Sequence, residues 1–134
     1  MKREKLYHDK HLLLEYVHDS NYLHETWWGA TPGDSFARLL DIIIQSLEEK
    51  KAKGLILDAR EHKGLGPDNQ KLAAEKIGAY AKKIGNFYQA IIVPEDVFSK
   101  FSVTNFTDKL GDNQNVITKF FDNLQDAEMW LWEA

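Results

Sequence analysis

The stretch GLILDAREHKGLGP, from Gly54 to Pro67, holds the features that decide the fold. It begins with the apolar run Leu55–Leu57, which predicts a short strand covered on both faces. Charged residues follow from Asp58 onward, and the glycines after them break the strand. Pro67 is favoured at the first position of a helix, so the stretch predicts a strand, a polar loop and a helix in that order.

Helices are predicted on both sides of this strand, at about 32–51 and 67–84, with shorter ones at 94–101 and 123–132. The first begins at TPGDSF, with Thr31 as the N-cap and Pro32 at the first helical position. Its apolar residues recur at i, i+3 and i+4 spacing, which gives one face toward a core. A further turn or helix is predicted over Thr104 to Leu110.

The first thirty residues have strand patterns instead. The segments KLYHD, HLLLEYVHD and YLHETWWG are separated by polar turns and predict an antiparallel hairpin or meander. Later, QAIIVP and NVITKFF alternate with the helices, and such connections imply parallel strands joined by right-handed crossovers. The prediction is an α/β fold in one domain, 1–134, with a mixed sheet of four or five strands.

Composition excludes several classes of function. The 134 residues include no cysteine, which excludes disulfides and thiolate metal sites and fits a reducing compartment. The net charge is -4 and the basic residues are scattered, so nucleic acid is a poor partner. No apolar run is long enough for a transmembrane segment, and the N-terminus has no signal-peptide pattern. The five histidines lack metal-ligand spacing. We therefore expect a cytoplasmic protein without metal or other cofactors.

Four segments resemble one family. TWWGATPGDSF, GLILDAR, QAIIVPEDVF and FFDNLQDAEMWL, in this order, are similar to the STAS family of sulfate-transporter and anti-sigma-factor-antagonist domains, and most of all to its SpoIIAA-like branch. The resemblance covers nearly the whole chain. It implies a compact α/β domain that regulates or binds without catalysing, with a protein partner or a small apolar ligand.

One departure from the family pattern limits what the resemblance implies. The phospho-switch members carry an Asp-Ser pair in the loop that follows the strand equivalent to Leu55–Asp58. Here the segment from Ala59 to Asn69 contains neither serine nor threonine. The phosphorylation switch therefore does not transfer to this chain.

Two interpretations of the charged stretch remain open. Asp58, Arg60 and His62 are expected at the carboxyl ends of the strands with Glu95, where α/β sheets bind ligands. Asp58, His62 and Glu95 could then serve a small hydrolase or isomerase by general acid–base catalysis. Alternatively, Asp58 is structural, accepting hydrogen bonds from loop N–H groups and pairing with Arg60.

Aromatic residues provide the remaining candidates. Phe98 and Phe101 could line an apolar ligand pocket or belong to the core. Trp27 and Trp132 are candidate interface residues, and a self-associating homodimer is a third alternative. A further set is expected to be buried, namely Phe36, Leu40, Ile43, Leu55, Leu57, Ile91, Val93 and Trp130.

Overall fold

The computed structural model describes residues 2–101 and 115–134, without the side chains of 99–101. Within these residues six strands form one sheet, and their order in the sheet is their order in the chain. They are β1 (Arg3–His8), β2 (Leu12–Val17), β3 (Tyr22–Gly29), β4 (Gly54–His62), β5 (Phe87–Ile92) and β6 (Val116–Phe121). The helices are α1 (Gly33–Lys50), α2 (Pro67–Ile84), α3 (Glu95–Phe101) and α4 (Leu124–Glu133).

The sheet is mixed. Strands β1, β2 and β3 pair antiparallel, and β3 to β6 pair parallel. This confirms the predicted α/β class and the antiparallel N-terminus. The predicted number of strands was too low, because the N-terminal segment is a full edge strand that pairs along β2 from Arg3 to His8. Its register contains an irregularity between Lys5 and Tyr7, which interrupts the alternation that identifies a strand in a sequence.

The predicted helices are observed with ends that differ by one residue at most. Thr31 is not the N-cap of α1, since Pro32 occupies that position and no side chain caps the helix. Asn123 does cap α4, and its side chain accepts a hydrogen bond from the N–H of Asp126. The turn or helix predicted over Thr104 to Leu110 lies outside the described residues.

Strand β4 is longer than its apolar run predicted. The predicted strand ended at Leu57, but pairing with β3 continues through Asp58 and resumes at Glu61 and His62. From Asp58 to Glu61 strand β4 advances by three residues, whereas its partner β3 advances by only two, from Thr26 to Trp28. Strand β4 therefore contains one extra residue. The extra residue changes the alternation of side chains, and the residues on either side of it no longer share a face in the simple period of two.

The face of the sheet that α1 and α2 cover, here called the helix-pair face, carries the larger core. Helix α1 packs against it with a stripe of large side chains, and the hydroxyl of Tyr80 in α2 shares its single proton between the carbonyls of Leu47 and Ala52, at 3.0 and 2.7 Å. These bonds satisfy a hydroxyl inside an apolar core and fix α2 to the end of α1. The buried residues of α1 are Phe36, Leu39, Leu40, Ile43 and Leu47.

The opposite face, here called the α4 face, is covered by α4 over strands β4 to β6. Ala127 and Leu131 pack there against Ile56 and other buried residues. Gly54 begins β4 at this contact, and a Cβ at that position would lie 2.6 Å from the carbonyl oxygen of Tyr88. The close approach of β4 to β5 below α4 therefore requires glycine.

Most of the residues predicted to be buried are buried, but three are not. Leu57, Ile91 and Trp130 are only half-buried. Trp130 lies at the edge of the α4 contact, where its ring meets Tyr88 and Phe121. Leu57 and Ile91 lie on inner strands of the sheet, where a half-buried apolar side chain needs a local explanation.

Candidate functional site

The explanation for Leu57 and Ile91 is a cavity of about 270 Å³ between α2 and strands β4 to β6 on the helix-pair face. Both side chains line it. Helix α2 contributes a stripe at i, i+3, i+4 and i+7 spacing, made of Gln70, Ala73, Ala74 and Ile77. The alanines are too short to fill the space above the strands, so the sheet surface beneath them stays accessible.

The wall of the cavity is mainly apolar. Its polar side chains are those of His62, Gln70, Gln89 and Thr118, and none of the described lining residues carries a full charge at neutral pH. The remaining lining residues are Leu57, Ala59, Gly64, Leu65, Ala73, Ala74, Ile77, Ile91, Val93, Val116 and Phe120. An apolar wall with a few polar groups is typical of small-molecule sites.

His62 lies at the end of the cavity where β4 turns toward α2. The N–H of Gly64 donates to its Nδ1 at 3.2 Å, so the neutral ring carries its proton on Nε2, which lies 3.4 Å from Oγ1 of Thr31. Burial lowers the pKa of His62, and the nearby His11 lowers it further. His62 therefore presents a neutral imidazole at neutral pH.

Asp58 and Arg60 form an ion pair away from the cavity. The guanidinium donates to both carboxylate oxygens at 3.0 and 2.7 Å, and the backbone N–H of Arg60 donates to the same carboxylate at 3.2 Å. Burial acts to raise the pKa of Asp58, but the hydrogen bonds and charge of Arg60 outweigh it and the pKa is lowered. This is the pairing expected if Asp58 is structural.

The structure does not bring the proposed acid–base residues together. Asp58 lies on the side of the sheet that carries Ile56 and His24, whereas His62 lines the cavity on the helix-pair face. Glu95 is exposed in the first turn of α3. The extra residue in β4 produces the separation of Asp58 and His62, and the sequence does not reveal it.

Four aromatic residues were predicted to line a pocket or to form an interface. Phe98 is half-buried and is not among the lining residues of the cavity, and the side chain of Phe101 lies outside the described part of the structure. Trp27 is wrong as an interface residue, because it is 3% exposed and its ring packs 5.7 Å from that of Phe36. Trp132 is 61% exposed and stays a predicted interface residue, with the exposed Met129 one turn away.

A second polar cluster, missed in the sequence, surrounds His24 on the α4 face. The ring is 6% exposed, and Nη1 of Arg3 lies 2.6 Å from its Nδ1. Burial and the charge of Arg3 lower the pKa of His24 to about 4. Arg3 also donates to Glu128 of α4 at 3.0 Å. The sequence pattern that could have identified this cluster is the period of two in β3, which places His24 on the same face as Tyr22.

A buried acid on the helix-pair face was also missed. Glu25 lies beside Leu14 and Leu57 in the strand register, and its Oε1 accepts a hydrogen bond from Nε1 of Trp27 at 2.9 Å. Burial raises the pKa of Glu25 to about 7. Its place between Leu23 and Trp27 in the alternation of β3 could have identified it as an acid on a core face.

The described residues contain neither a metal-binding cluster nor a membrane-spanning helix. No group of three or more histidine, cysteine, aspartate or glutamate side chains is arranged to hold a metal ion there. No described helix combines the length and the apolar character needed to cross a membrane.

No protein-family model and no curated protein matches this sequence. Among solved structures, the chain is similar to an uncharacterised protein of the DUF3478 family from Shewanella loihica PV-4, whose crystal structure is described as SpoIIAA-like. The alignment covers 94% of this chain and 98% of the other, with 20% identity and a TM-score of 0.61. This chain has the SpoIIAA-like fold. The structural match confirms the resemblance in fold, and at this identity it carries no information on activity.

Proposed function

We propose that this SpoIIAA-like domain is a non-catalytic binding module that takes a small apolar ligand in the cavity between α2 and strands β4 to β6. The observation that carries the proposal is the cavity itself, in which Leu57 and Ile91 of the central sheet remain accessible. The sequence of the domain contains no cysteine, which fits the cytoplasmic location that we predict for this protein.

The size of the cavity supports a small ligand. At about 270 Å³ it lies just below the range of roughly 300–1,000 Å³ for drug-sized small-molecule sites. It is larger than the cavities of about 150 Å³ that accept benzene in an otherwise packed core. A ligand with one ring and a short chain would fit such a volume.

The polar groups support binding over acid–base catalysis. A catalytic site needs a base within hydrogen-bond reach of its acid or nucleophile. His62 is the titratable side chain among the described residues of the cavity wall, and its polar contacts are with Thr31 and Gly64 rather than with an acid. Asp58 is bound to Arg60.

The test uses 1-naphthylamine, a neutral dye of about the size that the cavity accepts, whose emission shifts to shorter wavelengths in apolar surroundings. We expect saturable binding to the wild-type protein. Ala73→Leu should weaken binding at least about tenfold, because a larger side chain on α2 occupies part of the cavity. Ala79→Leu is the matched control, since Ala79 is an exposed alanine of the same helix and does not line the cavity.

Equal binding by both variants would place the dye elsewhere and contradict the proposal. Absence of saturable binding to the wild type would also contradict it. Native mass spectrometry of protein purified from its own cells adds an independent measurement, because a bound small molecule would appear as a discrete added mass that Ala73→Leu reduces.

A further inference from the structure

Two polar side chains lie next to each other in the floor of the cavity. Gln89 of β5 and Thr118 of β6 are directly paired in the parallel register. Both line the cavity, and each alternates along its strand with apolar residues of the same face. Their neighbours on that face are Phe87 and Ile91 in β5, and Val116 and Phe120 in β6.

Neither side chain has a hydrogen-bond partner within the described residues. The other polar groups of the wall are already engaged, since Gln70 donates to the carbonyl of Leu65 at 2.7 Å and His62 contacts Thr31 and Gly64. The amide of Gln89 and the hydroxyl of Thr118 therefore keep both donors and acceptors available to an occupant of the cavity.

Apolar residues would suit this position better if packing were its only role. The floor of a sheet beneath a helix is normally apolar, and a polar group there stabilises little unless it is hydrogen-bonded. A glutamine and a threonine side by side can bond one ligand group from two directions.

We propose that Gln89 and Thr118 recognise a neutral hydrogen-bonding group, such as an amide, hydroxyl or carbonyl, on a ligand whose remaining surface is apolar. This inference rests on the proposed function and specifies its ligand class. It also excludes carboxylates as preferred ligands, because the described wall offers no cation and His62 is neutral. Burial of an unpaired carboxylate is strongly unfavourable.

Three compounds of nearly the same shape test the ligand class. 4-Butylbenzamide, 4-butylbenzoate and 1-butyl-4-isopropylbenzene share a butylphenyl body and carry a neutral polar, an anionic or an apolar end group. Each displaces 1-naphthylamine if it enters the cavity. At pH 8 we expect the amide to bind at least about tenfold more tightly than the carboxylate, because the cavity cannot compensate the buried charge.

The double variant Gln89→Leu/Thr118→Val removes the polar pair and nearly preserves its shape. The ratio of amide affinity to hydrocarbon affinity should fall about tenfold, which corresponds to the loss of two ordinary hydrogen bonds. Thr26→Val is the matched control, because Thr26 is a half-buried strand threonine outside the cavity wall. It should leave the ratio unchanged.

The outcomes separate this inference from the proposed function. If the dye does not bind to the wild-type protein, the proposed function fails and this inference fails with it. If the dye binds but the double variant keeps the wild-type affinity ratio, the cavity is a binding site and the assignment of Gln89 and Thr118 is wrong. Carboxylate binding equal to amide binding would overturn the assigned ligand class.

Discussion

The two halves of the helix-pair face differ in the size of the side chains that cover them. Under α1, leucine, isoleucine and phenylalanine side chains meet the sheet, and residues such as Leu39 are fully buried. Under α2, Ala73 and Ala74 occupy the corresponding stripe, and the sheet residue Leu57 remains accessible to the cavity. One sheet face is thus core in one half and cavity wall in the other.

This difference shows that an apolar strand residue is not necessarily a core residue. Burial depends on whether the facing element carries enough volume to close the gap at the normal packing density of a protein interior. The α2 half lacks that close packing and the stability that it would contribute, and it has an accessible apolar surface instead. Such an exchange is expected where binding is under selection.

The largest effect that we predict separates the two halves directly. Leu39→Ala removes a fully buried side chain from the α1 half and should lower the free energy of unfolding by about 3–5 kcal/mol. Leu57→Ala makes the same chemical change in the cavity wall and should cost about 1–2 kcal/mol, because part of that side chain is already exposed. Urea denaturation measures both. Equal losses would mean that the α2 half is packed as tightly as the α1 half.

The second prediction concerns Glu25, a buried acid on the same face. Its pKa is raised by burial to about 7 from an ordinary value of 4.5. In the folded state the carboxyl holds its proton at pH values where the unfolded chain has released it. The contribution of Glu25 to the free energy of unfolding is therefore fully present below about pH 4.5. It is lost as the pH rises through 7, and the total loss is about 3 kcal/mol.

Glu25→Gln should remove this loss, because the amide does not ionise. The measurement is the difference in unfolding free energy between wild type and variant from pH 5 to pH 8. Taking a difference cancels the contribution of His24, whose lowered pKa gives a loss of stability toward acid pH. Glu61→Gln is the control, since Glu61 is exposed. A difference that stays constant with pH would show that Glu25 titrates as an ordinary carboxyl.

The sequence was sufficient for most of the fold because its helices are strongly periodic and well delimited. Pro67 marked the start of α2, and the last helix was predicted to begin at 123, one residue before its observed start. The strands were less well predicted, because β1 has an irregular register and the extra residue in β4 has no local signature. The order of the elements followed from the alternation of strand and helix patterns, and the SpoIIAA-like fold was implied by the resemblance of four segments to that family.

The candidate site was harder to predict, because it depends on distances between elements. Asp58, Arg60 and His62 are close in sequence, but the structure directs His62 into the cavity and leaves Asp58 with Arg60. Leu57 and Ile91 have the composition of core residues, and only the short side chains of α2 leave them accessible. No local pattern in the sequence indicates which strand residues lie opposite Ala73 and Ala74.

The third prediction extends the comparison to the opposite face of the sheet. Asp58→Ala removes an acceptor of three hydrogen bonds from Arg60 and should lower the free energy of unfolding by about 1–2 kcal/mol. The effect stays modest because the Arg60 side chain is 40% exposed and partly solvated. Binding of the dye to the cavity should not change. Loss of dye binding with unchanged stability would instead assign Asp58 to the site.

The smallest effect that we predict has the opposite sign. Gln89→Leu places an apolar side chain in the apolar floor of the α2 half and should raise the free energy of unfolding by about 0.5–1 kcal/mol, since the amide has no described partner to lose. Tyr80 of α2 carries a satisfied hydroxyl where this helix meets the end of α1, so Tyr80→Phe should do the reverse and lower the free energy of unfolding by about 1 kcal/mol or more. Thermal and urea denaturation of the two variants measure this contrast.

If Gln89→Leu destabilises the domain as Tyr80→Phe does, the amide of Gln89 makes hydrogen bonds within the domain and is not available to a ligand. If Gln89→Leu stabilises the domain and weakens amide binding, the residue is retained at a cost to stability, as expected for recognition.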